Sequence, residues 1–157
     1  MIRATTCFLI KDDKILLAMK KRGFGMGKWN GIGGKQEKNE DINVTAVREV
    51  EEEIKVKIDF QDLEKVAIFR FYFPFKPEWH MEVHFYFCYK WQEEPEETEE
   101  MKPKWFDLKN IPYEKMWSDS IYWLPRVSKG EKLEGEFYFN EDNNTLNSGK
   151  INIRLIK

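Results

Sequence analysis

GKQEKNEDINVTAVREVEEEIKV, residues 34–56, is the segment around which the rest of the chain is organised. It predicts a loop that leads into a helix carrying Glu49, Glu52 and Glu53. The i, i+3 and i+4 spacing places these three carboxylates on one helix face. Like charges at this spacing repel one another, and the neighbouring Arg48 alone does not balance them. The segment therefore indicates a bound divalent cation, although most charge runs are solvated surface.

The same helix carries an apolar stripe that can face a core. Its members recur at threes and fours, and they are Val44, Val47, Val50 and Ile54. Asn39 is the predicted N-cap, which would leave Glu40 and Asp41 near the positive end of the helix dipole.

The spacing of residues 34–56 resembles the Nudix box, Gly-x5-Glu-x7-Arg-Glu-U-x-Glu-Glu-x-Gly-U, in which U is a bulky aliphatic residue. The matching residues are Gly34, Glu40, Arg48, Glu49, Val50, Glu52, Glu53 and Val56. The second glycine is replaced by Lys55, which would take a left-handed conformation at a cost of about 1 kcal/mol. This departure removes no candidate ligand. The resemblance implies an α+β Nudix fold with a mixed β-sheet sandwiched between helices (α/β/α).

Strand-like segments and one late helix surround the acidic helix. The predicted strands are residues 2–10, 14–20, 64–75, 80–91, 102–108, 134–140 and 151–157. The late helix is predicted near 119–129. A glycine- and lysine-rich segment, residues 20–35, leads directly into the acidic helix and can bring backbone N–H groups close to phosphate.

Composition limits the class of protein. The 157 residues are 41% hydrophobic, which predicts a single domain, residues 1–157, with a substantial core. The net charge of -2 gives no reason to expect a nucleic-acid polymer as partner. The chain has no apolar run of membrane-spanning length and no signal-peptide pattern, so we expect a cytoplasmic protein that does not bind a membrane. Cys7 and Cys88 are expected to be buried and reduced. A monomer is expected rather than an oligomer.

The resemblance extends beyond the box. KKRGFGMGKWNGIGGK (20–35), EMKPKWF (100–106) and IPYEKMW (111–117) are similar to the MutT-homologue oxidised purine nucleoside triphosphatases. The similarity covers most of residues 1–140. It implies metal ligands at the Gly33 carbonyl and at Glu49, Glu52, Glu53 and Glu100. It implies a substrate pocket formed by Thr5, Lys20, Phe24, Asn30, Phe69 or its neighbours, Trp117 and Asp119. The family has a second acid after this aspartate, where the present chain has Ser120.

The residues also support phosphoanhydride hydrolysis on chemical grounds. This reaction needs charge neutralisation and an activated water, and Mg²⁺, or Mn²⁺ as a substitute, prefers oxygen ligands. Glu52 and Glu53 are the favoured ligands, while Glu49 is either a ligand or the general base. Arg48 is expected to orient one of these glutamates. Trp117 could stack on a base or pack in the core, and Asn30 and Asp119 could bind the edge of a base.

The predicted activity is Mg²⁺-dependent hydrolysis of oxidised purine nucleoside triphosphates, such as 8-oxo-dGTP or 2-hydroxy-dATP, to the monophosphate and pyrophosphate. Such an enzyme would remove damaged nucleotides from the precursor pool for DNA synthesis. The alternatives are a Nudix enzyme for ADP-ribose or a dinucleotide polyphosphate, and a nucleotide-binding module without turnover. The intact acidic set argues against the last. Because Ser120 replaces an acid, Asp119 should ionise more readily than it would beside a second acid and should act mainly as an acceptor, which favours 8-oxo-dGTP over 2-hydroxy-dATP.

Overall fold

The structure is a computed structural model that describes residues 1–156, in which eight strands and two α-helices are formed. The strands are β1 (Ile2–Lys11), β2 (Lys14–Lys20), β3 (Trp29–Asn30), β4 (Leu63–Tyr72), β5 (Met81–Cys88), β6 (Met101–Asp107), β7 (Leu133–Phe139) and β8 (Leu146–Leu155). The helices are α1 (Ile42–Ile54) and α2 (Ser120–Ser128). Every predicted strand is present, but β8 begins earlier than predicted, and Lys157 lies outside the described residues.

One mixed sheet joins all eight strands in the order β3-β2-β1-β5-β4-β7-β8, and β6 also pairs with β2. The pairs β1–β5 and β4–β7 are parallel, with Ile2 opposite Met81 and Ala67 opposite Leu133. The remaining pairs are antiparallel, and β1 and β2 form a hairpin. The mixed sheet expected for the fold is thus confirmed.

Two hydrophobic cores lie on opposite faces of this sheet. Because successive side chains of a strand point to opposite faces, Cys7 and Leu9 of β1 face α1, whereas Phe8 packs with Trp123 of α2. Both cysteines are buried and free. The helices therefore cover the two faces of the sheet, as the α/β/α prediction required. No helix within residues 1–156 combines the length and the apolar character that a membrane span needs.

The start of α1 differs from the prediction. The N-cap is Asp41, whose side chain accepts a hydrogen bond from the Asn43 N–H at 2.9 Å. Asn39 instead occupies the preceding turn in a left-handed conformation with φ 63°. Asn and Asp are equally good caps, so residue type alone did not distinguish them. At the other end Lys55 has φ 62° and donates its N–H to the Glu51 carbonyl, which confirms the left-handed residue predicted there.

The apolar stripe of α1 also differs in one member. Val50 and Ile54 are buried and Val47 is half-buried, but Val44 is 48% exposed. Val44 precedes Val50 by six residues, which places it about 120° away around a helix of 3.6 residues per turn. Ala46, four residues before Val50, takes the buried place.

The connection between β4 and β5 is longer than predicted, because β4 ends at Tyr72 and β5 starts at Met81. Pro74 lacks the N–H that a continuing strand would need. Residues 73–80, which we call the 73–80 loop, contain a 3₁₀ turn at Pro77–Trp79. This loop packs beside the functional site.

Candidate active site

Glu49 is the most deeply placed carboxylate of α1. It is 8% exposed, and its carboxyl group lies directly against Gly34: a Cβ atom on Gly34 would be 2.4 Å from Glu49 Cδ. The loop before α1 therefore needs a residue without a side chain at this position. Burial raises the pKa of Glu49, although the hydrogen bond from Arg48 acts in the opposite direction. Gly34, the box glycine, and Glu49, the second box glutamate, are thus a packing pair.

Glu53 and Glu100 form a pair of adjacent carboxylates. Burial, together with the charges of Glu100 and Glu49, raises the pKa of Glu53 to about 7. Glu100 is held just before β6, where its side chain accepts a hydrogen bond from Arg22 at 2.9 Å. This contact is the main reason why the pKa of Glu100 is lowered. One oxygen of Glu53 is buried and has no hydrogen-bond partner among residues 1–156.

Arg48 is shared among several acids. Its closest bidentate partner is Glu40, with N–O distances of 2.8 and 3.0 Å, and this contact lowers the pKa of Glu40 to about 2. Arg48 also donates to Glu49 at 2.8 Å and to the exposed Glu52 at 3.2 Å. The expected orientation of box glutamates by Arg48 is therefore present. Glu40 is a partner of Arg48 and does not cap the helix.

The chemistry of this acidic cluster fits a hard cation. As the side chains stand, no three His, Cys, Asp or Glu side chains of residues 1–156 are grouped closely enough to hold a metal ion. However, one buried oxygen of Glu53 has no hydrogen-bond partner among residues 1–156, and the charges of Glu49 and Glu100 raise the pKa of Glu53. A bound cation would relieve this repulsion between carboxylates and stabilise the site. No hydrogen bond within the described residues is accepted by the Gly33 carbonyl, so this oxygen is also free.

A cavity of about 260 Å³ opens beside the acidic cluster on the α2 side of the sheet. Gly34, which packs against Glu49, and Lys20, whose charge lowers the pKa of Glu53, line it together with Gly33. Trp117, Asp119 and Ser120, from the loop before α2 and its first residue, also line it. Most of the lining is aromatic or aliphatic. Such a cavity, apolar with a few polar groups, is typical of a small-molecule site.

Trp117 lies in the loop before α2 and is half-buried. The Phe24 ring stacks on it with a centroid distance of 5.1 Å and an interplanar angle of 27°. The Lys28 ammonium group lies 4.9 Å from the Trp117 ring centroid. Phe139 meets the same indole edge-on at 5.8 Å. Trp117 therefore contributes to the cavity wall and also packs against the core.

Asp119 is the buried polar group of the cavity. It is 4% exposed and accepts a hydrogen bond from Trp123 Nε1 at 2.8 Å. Burial raises the pKa of Asp119 to about 6, although the Trp123 hydrogen bond lowers it. Burial thus raises the pKa of Asp119 although no second acid lies beside it, so desolvation opposes the easier ionisation that is expected from the loss of a neighbouring charge. Ser120, also buried, starts α2 next to it.

The structure brings most of the predicted substrate-binding residues to this cavity. They are Thr5, Lys20, Phe24, Asn30, Trp117, Asp119 and Ser120. Phe69 is the exception, since it is fully buried in the core between Phe85, Phe137 and Trp123. Its neighbours two and four residues later, Phe71 and Phe73, line the cavity instead.

Sequence reasoning missed several lining residues. They are Trp79, Met81, Phe139 and Trp123. For Trp123 a signal existed, because it lies four residues after Asp119 and residues at this spacing share a helix face. For Trp79 no local pattern was available, because its position depends on how the 73–80 loop folds back.

Comparisons with known proteins concern the family and the fold of this chain. The family model described as NUDIX domain matches residues 1–127. The chain is 40% identical over 135 residues to the oxidized purine nucleoside triphosphate hydrolase of Danio rerio, covering 86% of this chain and 85% of that protein. It is 39% identical over 142 residues to the Mus musculus protein of the same name, covering 90% and 89%. The crystal structure of a MutT protein from Bacillus halodurans matches 99% of this chain and 97% of that chain with a TM-score of 0.74 and 24% identity, which supports the fold.

Proposed function

Because this chain belongs to the Nudix family, we propose that it hydrolyses oxidised purine nucleoside triphosphates such as 8-oxo-dGTP to the monophosphate and pyrophosphate. Its relatives in Danio rerio and Mus musculus are named oxidized purine nucleoside triphosphate hydrolases. The enzyme would thereby keep damaged purines out of the nucleotide pool.

The observation that carries this proposal is the continuity between the cavity and the acidic cluster. Gly34 lines the cavity and at the same time packs against the carboxyl group of Glu49. A nucleotide whose base lies against Trp117 and Asp119 would therefore place its phosphates toward the acidic residues of α1. Base–aromatic stacking contributes roughly 1–3 kcal/mol per base, and a buried carboxylate can accept hydrogen bonds from a guanine-type edge.

Nudix hydrolases generally use divalent metal ions, and we assign the ligands here to Glu49, Glu52, Glu53, Glu100 and the Gly33 carbonyl. Mg²⁺, with Mn²⁺ as a substitute, suits an all-oxygen set of this kind. When bound, the metal neutralises phosphate charge and increases the acidity of water. A carboxylate of the set that is free of metal accepts the proton of the attacking water, and Lys20 at the cavity wall contacts the phosphates.

The test is a turnover screen with Mg²⁺ in which substrate loss and product identity are followed by chromatography. The nucleotides are 8-oxo-dGTP, 2-hydroxy-dATP, dGTP, dATP, ADP-ribose and a dinucleotide tetraphosphate. We expect the highest catalytic efficiency for an oxidised purine triphosphate, with pyrophosphate as the second product. A clear preference for ADP-ribose or the dinucleotide would assign the site to another Nudix substrate, and binding without turnover of any compound would identify a binding module.

Glu53→Gln tests the role of the acidic cluster in turnover. The substitution keeps the shape of the side chain and removes its charge. We expect turnover to fall by orders of magnitude while the melting temperature is retained, because the removed charge is one that its neighbours disfavour. Near-normal turnover by this variant, or by the unsubstituted protein in excess chelator, would contradict the metal assignment.

A further inference from the structure

The 73–80 loop brings Trp79 to the edge of the cavity. The half-buried indole meets Phe24 edge-on, with a centroid distance of 4.8 Å and an interplanar angle of 80°. It meets Phe73 in the same way at 5.6 Å and 85°. Trp79 has no part in the acidic cluster and does not contact Trp117 or Asp119 through any ring pair or hydrogen bond of residues 1–156.

The loop that carries Trp79 is joined to β1 by the Ile2 N–H, which donates to the His80 carbonyl at 3.0 Å, and it is closed by its own hydrogen bonds. The Phe73 N–H donates to His80 Nδ1 at 2.9 Å, and the Lys76 N–H donates to the Phe73 carbonyl at 2.8 Å. The Trp79 N–H in turn donates to the Lys76 carbonyl at 2.9 Å. The Lys76 ammonium group lies 4.1 Å from the Trp79 ring centroid, a favourable cation–π contact. Trp79 therefore has a defined position independent of any ligand.

Phe24, by contrast, lies in a hydrogen-bonded turn outside the strands and helices. Its neighbours Gly23 and Gly25 have φ of 81° and 82°, values that side-chain-bearing residues rarely adopt. Phe24 belongs to no strand or helix and is 38% exposed. The position of its ring is therefore set by the aromatic groups that touch it, which are Trp79, Trp117 and, at 6.3 Å, Phe73.

The Phe24 and Trp117 rings are too close to enclose a base. Sandwiching a planar group requires two layers of contact at about 3.5–4.0 Å each, or roughly 7–8 Å between the rings. The observed centroid distance is 5.1 Å. The two rings thus form one continuous wall of the cavity, and the position of Phe24 decides how wide the remaining space is.

We propose that Trp79 is a positioning residue of the base cavity, which holds Phe24 against Trp117 and thereby determines how tightly a purine base is bound. This inference rests on the proposed function, since it takes a purine nucleotide as the ligand of the cavity. Its action is indirect: Trp79 supports the wall, and the wall contacts the base.

The first experiment compares steady-state kinetics of Trp79→Leu and Trp79→Phe with those of the unsubstituted protein, using 8-oxo-dGTP. We expect KM to rise about three- to ten-fold for Trp79→Leu, the range that corresponds to the loss of one aromatic pair, with kcat within about two-fold. Trp79→Phe should lie in between because it restores an aromatic edge. An unchanged KM in a folded Trp79→Leu protein overturns the proposal.

Trp91→Leu is the matched control. Trp91 is also half-buried and also packs on an aromatic ring, that of Trp105 at 5.8 Å, but it belongs to the core on the α1 side of the sheet. A general loss of packing should lower the melting temperature of both variants, whereas only Trp79→Leu should raise KM. Equal rises in KM for both variants would show that the effect is not local to the cavity.

A double-mutant cycle with Phe24→Ala tests the indirect action. If Trp79 acts through Phe24, adding Trp79→Leu to Phe24→Ala should change KM by less than about two-fold. If the two effects multiply, Trp79 contacts the base directly and the proposal is wrong.

Calorimetric binding of 8-oxo-dGMP without metal separates this inference from the proposed function. Binding that weakens in Trp79→Leu supports the inference even if no triphosphate is turned over, in which case only the proposed function fails. Absence of 8-oxo-dGMP binding by the unsubstituted protein overturns the inference itself.

Discussion

Asp119→Asn should make the protein more stable and less active. The buried carboxylate is ionised at neutral pH in an environment that raises its pKa to about 6 from 3.8. The folded protein therefore binds a proton at Asp119 more tightly than the unfolded chain does, and ionisation of Asp119 disfavours folding. Asparagine has nearly the same shape, can accept the Trp123 hydrogen bond, and carries no charge at any pH.

The magnitude follows from the two pKa values. Their difference means that ionised Asp119 destabilises the folded protein by about 3 kcal/mol. This destabilisation is fully present above pH 6, about half developed at pH 5 and absent below pH 3.8. For a chain of this size, 1 kcal/mol changes the melting temperature by about 2–4 °C, so the upper limit at pH 7.5 is a gain of about 6–12 °C. The new amide can be hydrated because Asp119 lines the cavity. Catalytic efficiency for 8-oxo-dGTP should fall, because the charged acceptor is lost.

The assay is thermal and urea unfolding of both proteins between pH 4 and 8. The stability difference should grow with pH and level off above about pH 6. Asp142→Asn is a control that should lower stability, because hydrogen bonds from Thr145 and Asn144 lower the pKa of this exposed carboxyl and favour its ionised form in the folded protein. Equal stability of Asp119→Asn and the unsubstituted protein at pH 7.5, or a difference independent of pH, would refute this reasoning.

Three further outcomes are expected. Trp117→Ala should raise KM for 8-oxo-dGTP roughly 10-fold or more with a modest fall in melting temperature, because base stacking is worth roughly 1–3 kcal/mol; a large fall in melting temperature with unchanged KM would mark a core residue. Gly34→Ala should lower kcat while the circular dichroism spectrum stays native, because the added Cβ displaces the Glu49 carboxyl; full activity would contradict the close packing. Ser120→Asp should increase the catalytic efficiency for 2-hydroxy-dATP relative to 8-oxo-dGTP, since a second acid beside Asp119 would share a proton with it; an unchanged ratio would refute this role.

Features of the fold with local signals could be predicted from the sequence. The periodic stripe and the spacing of charges defined α1, and the Nudix pattern gave the left-handed residue at Lys55. The choice between Asn39 and Asp41 as N-cap failed because both side chains suit that position. The parallel pairing of β1 with β5 was not predictable, because it joins segments far apart in the chain and depends on the whole sheet.

The candidate site was likewise predictable where the signal is local in the sequence and not where it depends on tertiary packing. The acidic residues of α1 share a helix face, so their grouping followed from spacing alone. Phe69 and Phe71 share a face of β4 and Phe73 follows just after the strand, and Phe69 is kept from the cavity by tertiary packing on Trp123 of α2, which has no local sequence signal. The raised pKa of Asp119 depends on burial, which has no sequence pattern.

The parallel pairing of β1 with β5 also constrains the order in which the protein matures. Ile2 pairs with Met81 and Leu9 with Cys88, so β1 is synthesised long before β5, the strand with which it makes its parallel pairs. During that interval β1, most of whose side chains are buried in the native state, can pair with β2 at Ile10 and Lys11 but lacks β5, its partner along most of its length. Non-local pairing of this kind slows folding and prolongs the exposure of aggregation-prone hydrophobic segments. Newly made chains should therefore depend on chaperones, and refolding from denaturant should give higher yields at low protein concentration.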